Sequence, residues 1–123
     1  MKYTILSIAG YYCLAFVVFH LFFWKIFRWK ADLKRLMPVN KAIMQVLNLH
    51  LTFVFLFIGF AIFLFTNELI NTAFGNYILG AMAIFWFIRA IDQIIFFDRK
   101  NYVSWIMFFV FIIGGFLFLI PIL

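Results

Sequence analysis

The chain has 123 residues, 69% of them apolar and 11% charged, with a formal net charge of +6. A mean hydropathy of +1.17 excludes a soluble domain of this size, because too little polar surface is available to face water. The single cysteine, Cys13, excludes an intrachain disulfide and a cysteine-only metal site. The loops are too short for a nucleic-acid-binding fold, so the positive charge reads as a topology signal and as contact with the lipid bilayer through anionic headgroups.

Four apolar runs reach the length of about 20 residues that a bilayer-spanning helix needs. They cover residues 3–24, 42–65, 77–97 and 102–122. Continuous apolarity, without period-two alternation, excludes the strands of a membrane barrel. The first run is too long for a signal peptide, and Lys25, Arg28 and Lys30 stand where a small-residue cleavage site belongs. We therefore expect a retained helix carrying Cys13 and His20 on the face of Ala9.

The loop at 25–41 follows. In KIFRWKADLKRLM, Ile26, Trp29, Leu33, Leu36 and Met37 recur at helical spacing, and Pro38 ends the pattern. This predicts a short amphipathic helix in the membrane interface, with Lys25, Arg28, Trp29, Lys30, Lys34 and Arg35 meeting lipid headgroups. A docking surface for a cytosolic partner is the alternative use of the same stripe.

On the second span, Gln45, Asn48, Thr52 and Gly59 form one stripe, and His50 points away from it. The loop at 66–76, TNELINTAFGN, carries Glu68 and no basic residue. On the third span Arg89, Asp92 and Gln93 share one side, and the i,i+3 spacing lets Arg89 and Asp92 pair. The loop at 98–101 is basic again, through Arg99 and Lys100. The positive-inside rule then places the first and third loops in the cytoplasm and both termini outside.

All the strongly polar intramembrane residues lie toward the basic side. Counted by helical rise, His20, Gln45, Asn48, His50, Arg89, Asp92 and Gln93 are within about 15 Å of that boundary. A buried Arg–Asp pair can be purely structural, fixing helix rotation, or can form a site for a proton, ion or solute. His20 and His50 are packing residues in one reading and axial haem ligands in another, although their depths differ by about 6 Å. A metal shared by His20 and Cys13 is disfavoured by their separation of about 10 Å along the helix. Gly59, Gly114 and Gly115 read as points of close helix approach. No phosphate loop, nucleophile elbow or zinc-protease helix is present, which argues against an enzyme.

The string FWFIRAIDQIIFFD, with FIGFAIFLF in the preceding span, resembles small four-helix bacterial integral membrane proteins. The resemblance covers the middle two spans. It implies a bacterial inner-membrane location and carries no activity.

The expected fold is an all-α, four-helix transmembrane bundle in a single domain, with an interfacial helix after the first span. Four helices enclose little space, so a homo-oligomer or a larger complex is expected. The expected function is movement of a small ion or solute through the cluster of Arg89, Asp92, Gln93, Gln45, Asn48, His50 and His20, with no cofactor. The alternatives are an accessory or scaffold subunit of a larger membrane complex, and a haem-binding redox protein using His20 and His50.

Overall fold

The computed structural model describes residues 1–123, which are 89% helical with no strand. In chain order the helices are α1 (Lys2–Leu21), α2 (Phe23–Ile26), α3 (Trp29–Asp32), α4 (Pro38–Leu64), α5 (Thr66–Asn71), α6 (Ala73–Phe96) and α7 (Tyr102–Leu119). Short 3-10 turns occupy Leu33–Arg35 and Ile120–Ile122. Four helices, α1, α4, α6 and α7 with its terminal turn, are long and apolar enough to cross a membrane. Large apolar side chains such as Leu47, Phe53, Phe57 and Ile84 point outward and are exposed. A bilayer accommodates such surfaces, whereas water would drive them together.

Several helix ends depart from the apolar runs, for local reasons. Pro38 opens α4 four residues before the run at 42, because the first turn of a helix needs no proline N–H. The loop at 66–76 contains α5 as well as the start of α6. Thr72 separates them with an extended backbone, and its Oγ1 accepts a hydrogen bond from the Gly75 N–H at 3.0 Å. Pro121 sits in the final 3-10 turn, just past the end of α7.

The chain forms two compact units, Gly10–Ala61 and Met1–Ala9 with Ile62–Leu123. Within Gly10–Ala61, Phe16 of α1 lies 5.7 Å from Phe55 of α4, ring centroid to ring centroid. The basic segment between these helices is not one amphipathic helix. Arg28 adopts the left-handed conformation at φ 53°, ψ 43°, which ends α2 and restarts the chain as α3. The expected stripe is divided as a result. Trp29 and Leu33 are buried, at 8% and 1% exposure, while Ile26 and Met37 are exposed. Trp29 packs edge-on against Phe23 at 5.5 Å and Trp24 at 6.1 Å, so its ring is turned into the protein. The bases of the segment, Lys25, Arg28, Lys30, Lys34 and Arg35, are exposed.

The second unit is dominated by the α6–α7 hairpin. Trp86 stacks on Phe111 at 5.9 Å and 17°, and Phe87 meets Phe116 edge-on at 5.3 Å. A Cβ on Gly115 would overlap the Phe87 ring, so the small residue sets how near α7 comes to α6. At Gly75 a Cβ would overlap the backbone of Glu68 and Leu69, which holds α5 directly against the start of α6. The α6–α7 turn is closed by side chains. Asp98 Oδ1 accepts from the Lys100 N–H and Asn101 Oδ1 from the Val103 N–H, each at 2.9 Å.

Candidate functional site

Arg89 is the one basic residue in the middle of a membrane-length helix of the α6–α7 hairpin. Its guanidinium carbon lies 4.3 Å from the Phe111 ring centroid and 5.2 Å from that of Phe97. Phe97 is eight residues further along the chain, about 12 Å of helical rise, so the side chain reaches toward the basic turn. Such snorkelling moves charge toward the interface while the aliphatic stem stays among apolar groups. Each ring face contributes about 0.5–2 kcal/mol of attraction, depending on how dry the contact is.

The expected pairing of Arg89 with Asp92 does not satisfy the guanidinium. Nη1 is buried and has no hydrogen-bond partner, although Asp92 is half-buried one turn away. Aromatic faces partly offset the charge, but they leave an N–H without an acceptor.

Gln93, the next residue on this face, is buried at 4% exposure and donates from Nε2 to Ser104 Oγ of α7 at 3.0 Å. The two side chains tie α6 to α7. A shallow indentation beside them is lined by Gln93, Ile94, Arg99, Ser104, Trp105 and Phe108. Trp105 donates from Nε1 to the Arg99 carbonyl at 2.9 Å, which fixes the turn next to it.

The Gly10–Ala61 unit holds the other expected residues. His20 is buried, with Nδ1 2.9 Å from the Phe16 carbonyl oxygen. Its ring stacks on Phe23 at 4.3 Å and meets Phe55 edge-on at 5.2 Å. Asn48 donates from Nδ2 to the His20 carbonyl at 3.2 Å, joining α4 to α1, and its Oδ1 is buried without a partner. Thr52 Oγ1 turns back to the Asn48 carbonyl at 2.7 Å. Gln45 is half-buried. His50 is exposed and keeps Nδ1 2.9 Å from the Val46 carbonyl oxygen. The two histidines therefore differ in environment, one enclosed by phenylalanines and one on the surface.

Two sets of residues were not singled out by sequence reasoning. Ser104 stood in an apolar run with no visible partner. A second polar group gathers at the other end of the hairpin unit: Tyr3 donates to Asn67 Oδ1 at 2.9 Å, and Asn71 Nδ2 lies 2.8 Å from the same oxygen. Asn71 also donates to the Tyr3 hydroxyl at 3.1 Å. The i,i+4 spacing of Asn67 and Asn71 was a usable signal for this cluster, since it places both on one face of a helix.

Comparison with family models, with curated proteins and with solved structures finds no match to this chain. The class that the fold defines is an all-helical small membrane protein with four helices able to span.

Proposed function

We propose that the chain is an accessory or scaffold subunit of a larger membrane complex. In this reading it is a four-helix bundle in a bacterial inner membrane, with its basic loops cytoplasmic and both termini outside. The observation that carries it is how the intramembrane polar groups are engaged. Gln93 bonds to Ser104, and Asn48 bonds to the backbone of His20, so each ties one long helix to another. Such bonds set helix rotation in an apolar medium. The outward faces of α4, with Phe53, Phe57 and Phe60 exposed, then meet lipid, a partner subunit or a second copy.

Native mass spectrometry of the full chain released in mild detergent tests this. A second polypeptide in fixed stoichiometry is the expected result. A homo-oligomer carrying only lipid overturns the accessory role. Haem at one copy per chain, with its Soret absorbance, would replace it with the redox reading through His20 and His50.

A second reading, movement of a small ion or solute, is favoured by one observation, the bare Nη1 of Arg89. Asp92 and Gln93 on the same helix, and Gln45, Asn48, His50 and His20 elsewhere, complete the set of polar groups it would draw on. Liposome flux that is lost in Arg89→Gln, with the melting temperature kept, would favour this reading over the first.

A further inference from the structure

His50 sits midway along the 27-residue α4, at the depth of the hydrocarbon interior, and its side chain is exposed. Ionisable residues inside a membrane almost always face a bundle interior or a partner, so an outward imidazole calls for a group to meet it. Nδ1 lies 2.9 Å from the Val46 carbonyl oxygen. A carbonyl only accepts, so Nδ1 carries the hydrogen and Nε2 is left as an acceptor. No hydrogen bond within the chain reaches Nε2, and acyl chains offer no donor. The opposite side of α4 is already occupied. Thr52, Phe55 and Gly59 are buried there, Phe55 against Phe16 of α1 and Gly59 beneath the Leu14 side chain. Ile43, Val46, His50, Phe53, Phe57 and Phe60 line the outward side, each exposed, in alternating steps of three and four residues. That is the spacing of a seam between two paired helices, with one polar position in it.

We infer that this face of α4 is a contact between two copies of the chain, with His50 of one copy beside His50 of the other. Two copies inserted in the same sense are related by a two-fold axis along the membrane normal. Their α4 helices then run parallel, and each residue meets its own counterpart at one depth. A second copy therefore necessarily brings a polar group to the level of His50, which lipid does not. The two Nε2 atoms share a single proton, taken from water, so that each has a hydrogen bond in place of bare hydrocarbon. The extent of the face fits such a pair. Covering an aromatic side chain removes about 150–250 Å², so six half-exposed side chains amount to roughly 600 Å² per copy, the lower end of stable pairs. A single polar residue in a seam of this kind fixes register and copy number. The accessory reading leaves the α4 face open to lipid, a partner subunit or a second copy, and is compatible with a pair that also carries another polypeptide.

The test is disulfide cross-linking of the full chain in native membranes, in a Cys13→Ser background, with copper phenanthroline as the oxidant. Phe53→Cys and Phe57→Cys should each give a cross-linked dimer, and Ile84→Cys, exposed on α6, should not. Adding His50→Leu should lower the dimer yield about fivefold, and His50→Asn, which restores a hydrogen-bonding pair, should recover it. His50 is exposed, so neither variant should disturb the packing within the chain, which the melting temperature checks. Equal cross-linking at Ile84→Cys, or a yield indifferent to His50→Leu, overturns the contact. Seam cysteines that link only to another polypeptide also overturn it and assign this face to that protein. A pair that carries a further polypeptide in fixed stoichiometry leaves the accessory role standing beside the seam. A pair without one removes only the accessory role, and a second polypeptide without a pair removes only the seam.

Discussion

Gln93 shows at the residue scale how a polar side chain is accommodated in an apolar helix. Its amide is buried and bonded to Ser104 Oγ across the hairpin. Hydrogen bonds between membrane helices contribute about 0.6 kcal/mol on average, with a maximum near 1.7. Ser104→Ala should cost about 1 kcal/mol, because it removes the acceptor and strands the Gln93 amide. Gln93→Leu should cost less, since the group that loses its bond is then a half-buried hydroxyl and not a buried amide. The double variant should lose less than the sum, and a coupling near zero in a detergent unfolding cycle would show that the bond contributes nothing. Arg89 is the contrasting case. Its charge rests on the faces of Phe111 and Phe97 while Asp92, the partner expected from spacing, leaves Nη1 without an acceptor.

Among the helices, α6 contains two glycines with opposite expected behaviour. At Gly75 an added Cβ would collide with the backbone of α5, which cannot swing aside as a side chain can. Gly75→Ala should therefore destabilise by about 1–3 kcal/mol, the usual range for overpacking. At Gly80 the same atom would meet only Ile122 Cδ1 at 3.7 Å, an ordinary contact. Gly80→Ala should be neutral or stabilise by up to about 1 kcal/mol through helix propensity. Melting temperatures of the pair in one detergent check the contrast, and equal shifts would contradict the close approach of α5 to α6. The basic segment teaches a related lesson. Its apolar spacing is helical, yet a left-handed residue at Arg28 divides it, and Trp29 and Leu33 turn inward on the far side of that break.

For the molecule as a whole, the asymmetry of charge predicts the orientation. The loops at 25–41 and 98–101 carry the bases, while the loop at 66–76 carries only Glu68. Cys13 is buried and is the single cysteine, so a Cys13→Ser background allows new cysteines to report sidedness. In intact cells an impermeant maleimide should label Glu68→Cys and leave Lys100→Cys unlabelled until the membrane is opened. Both positions are exposed, so access is not limited by packing. The reverse pattern would invert the proposed topology.

The four long helices and the class of the protein were legible in the sequence because spanning is a local property. About 20 consecutive apolar residues suffice, whatever they pack against. The charge asymmetry was legible for the same reason, being a matter of which loop holds Lys and Arg. Candidate polar residues could be named from depth, but their roles could not, since a helical wheel gives angles within one helix and not its rotation against the next. Packing alone decided that Gln93 meets Ser104, that Asn48 reaches the His20 backbone, and that Tyr3 joins Asn67 and Asn71 across more than half the chain. It also decided that Arg89 lies on aromatic rings. Each of these depends on two helix surfaces interlocking, and an apolar sequence constrains that only through the shapes of all its side chains together.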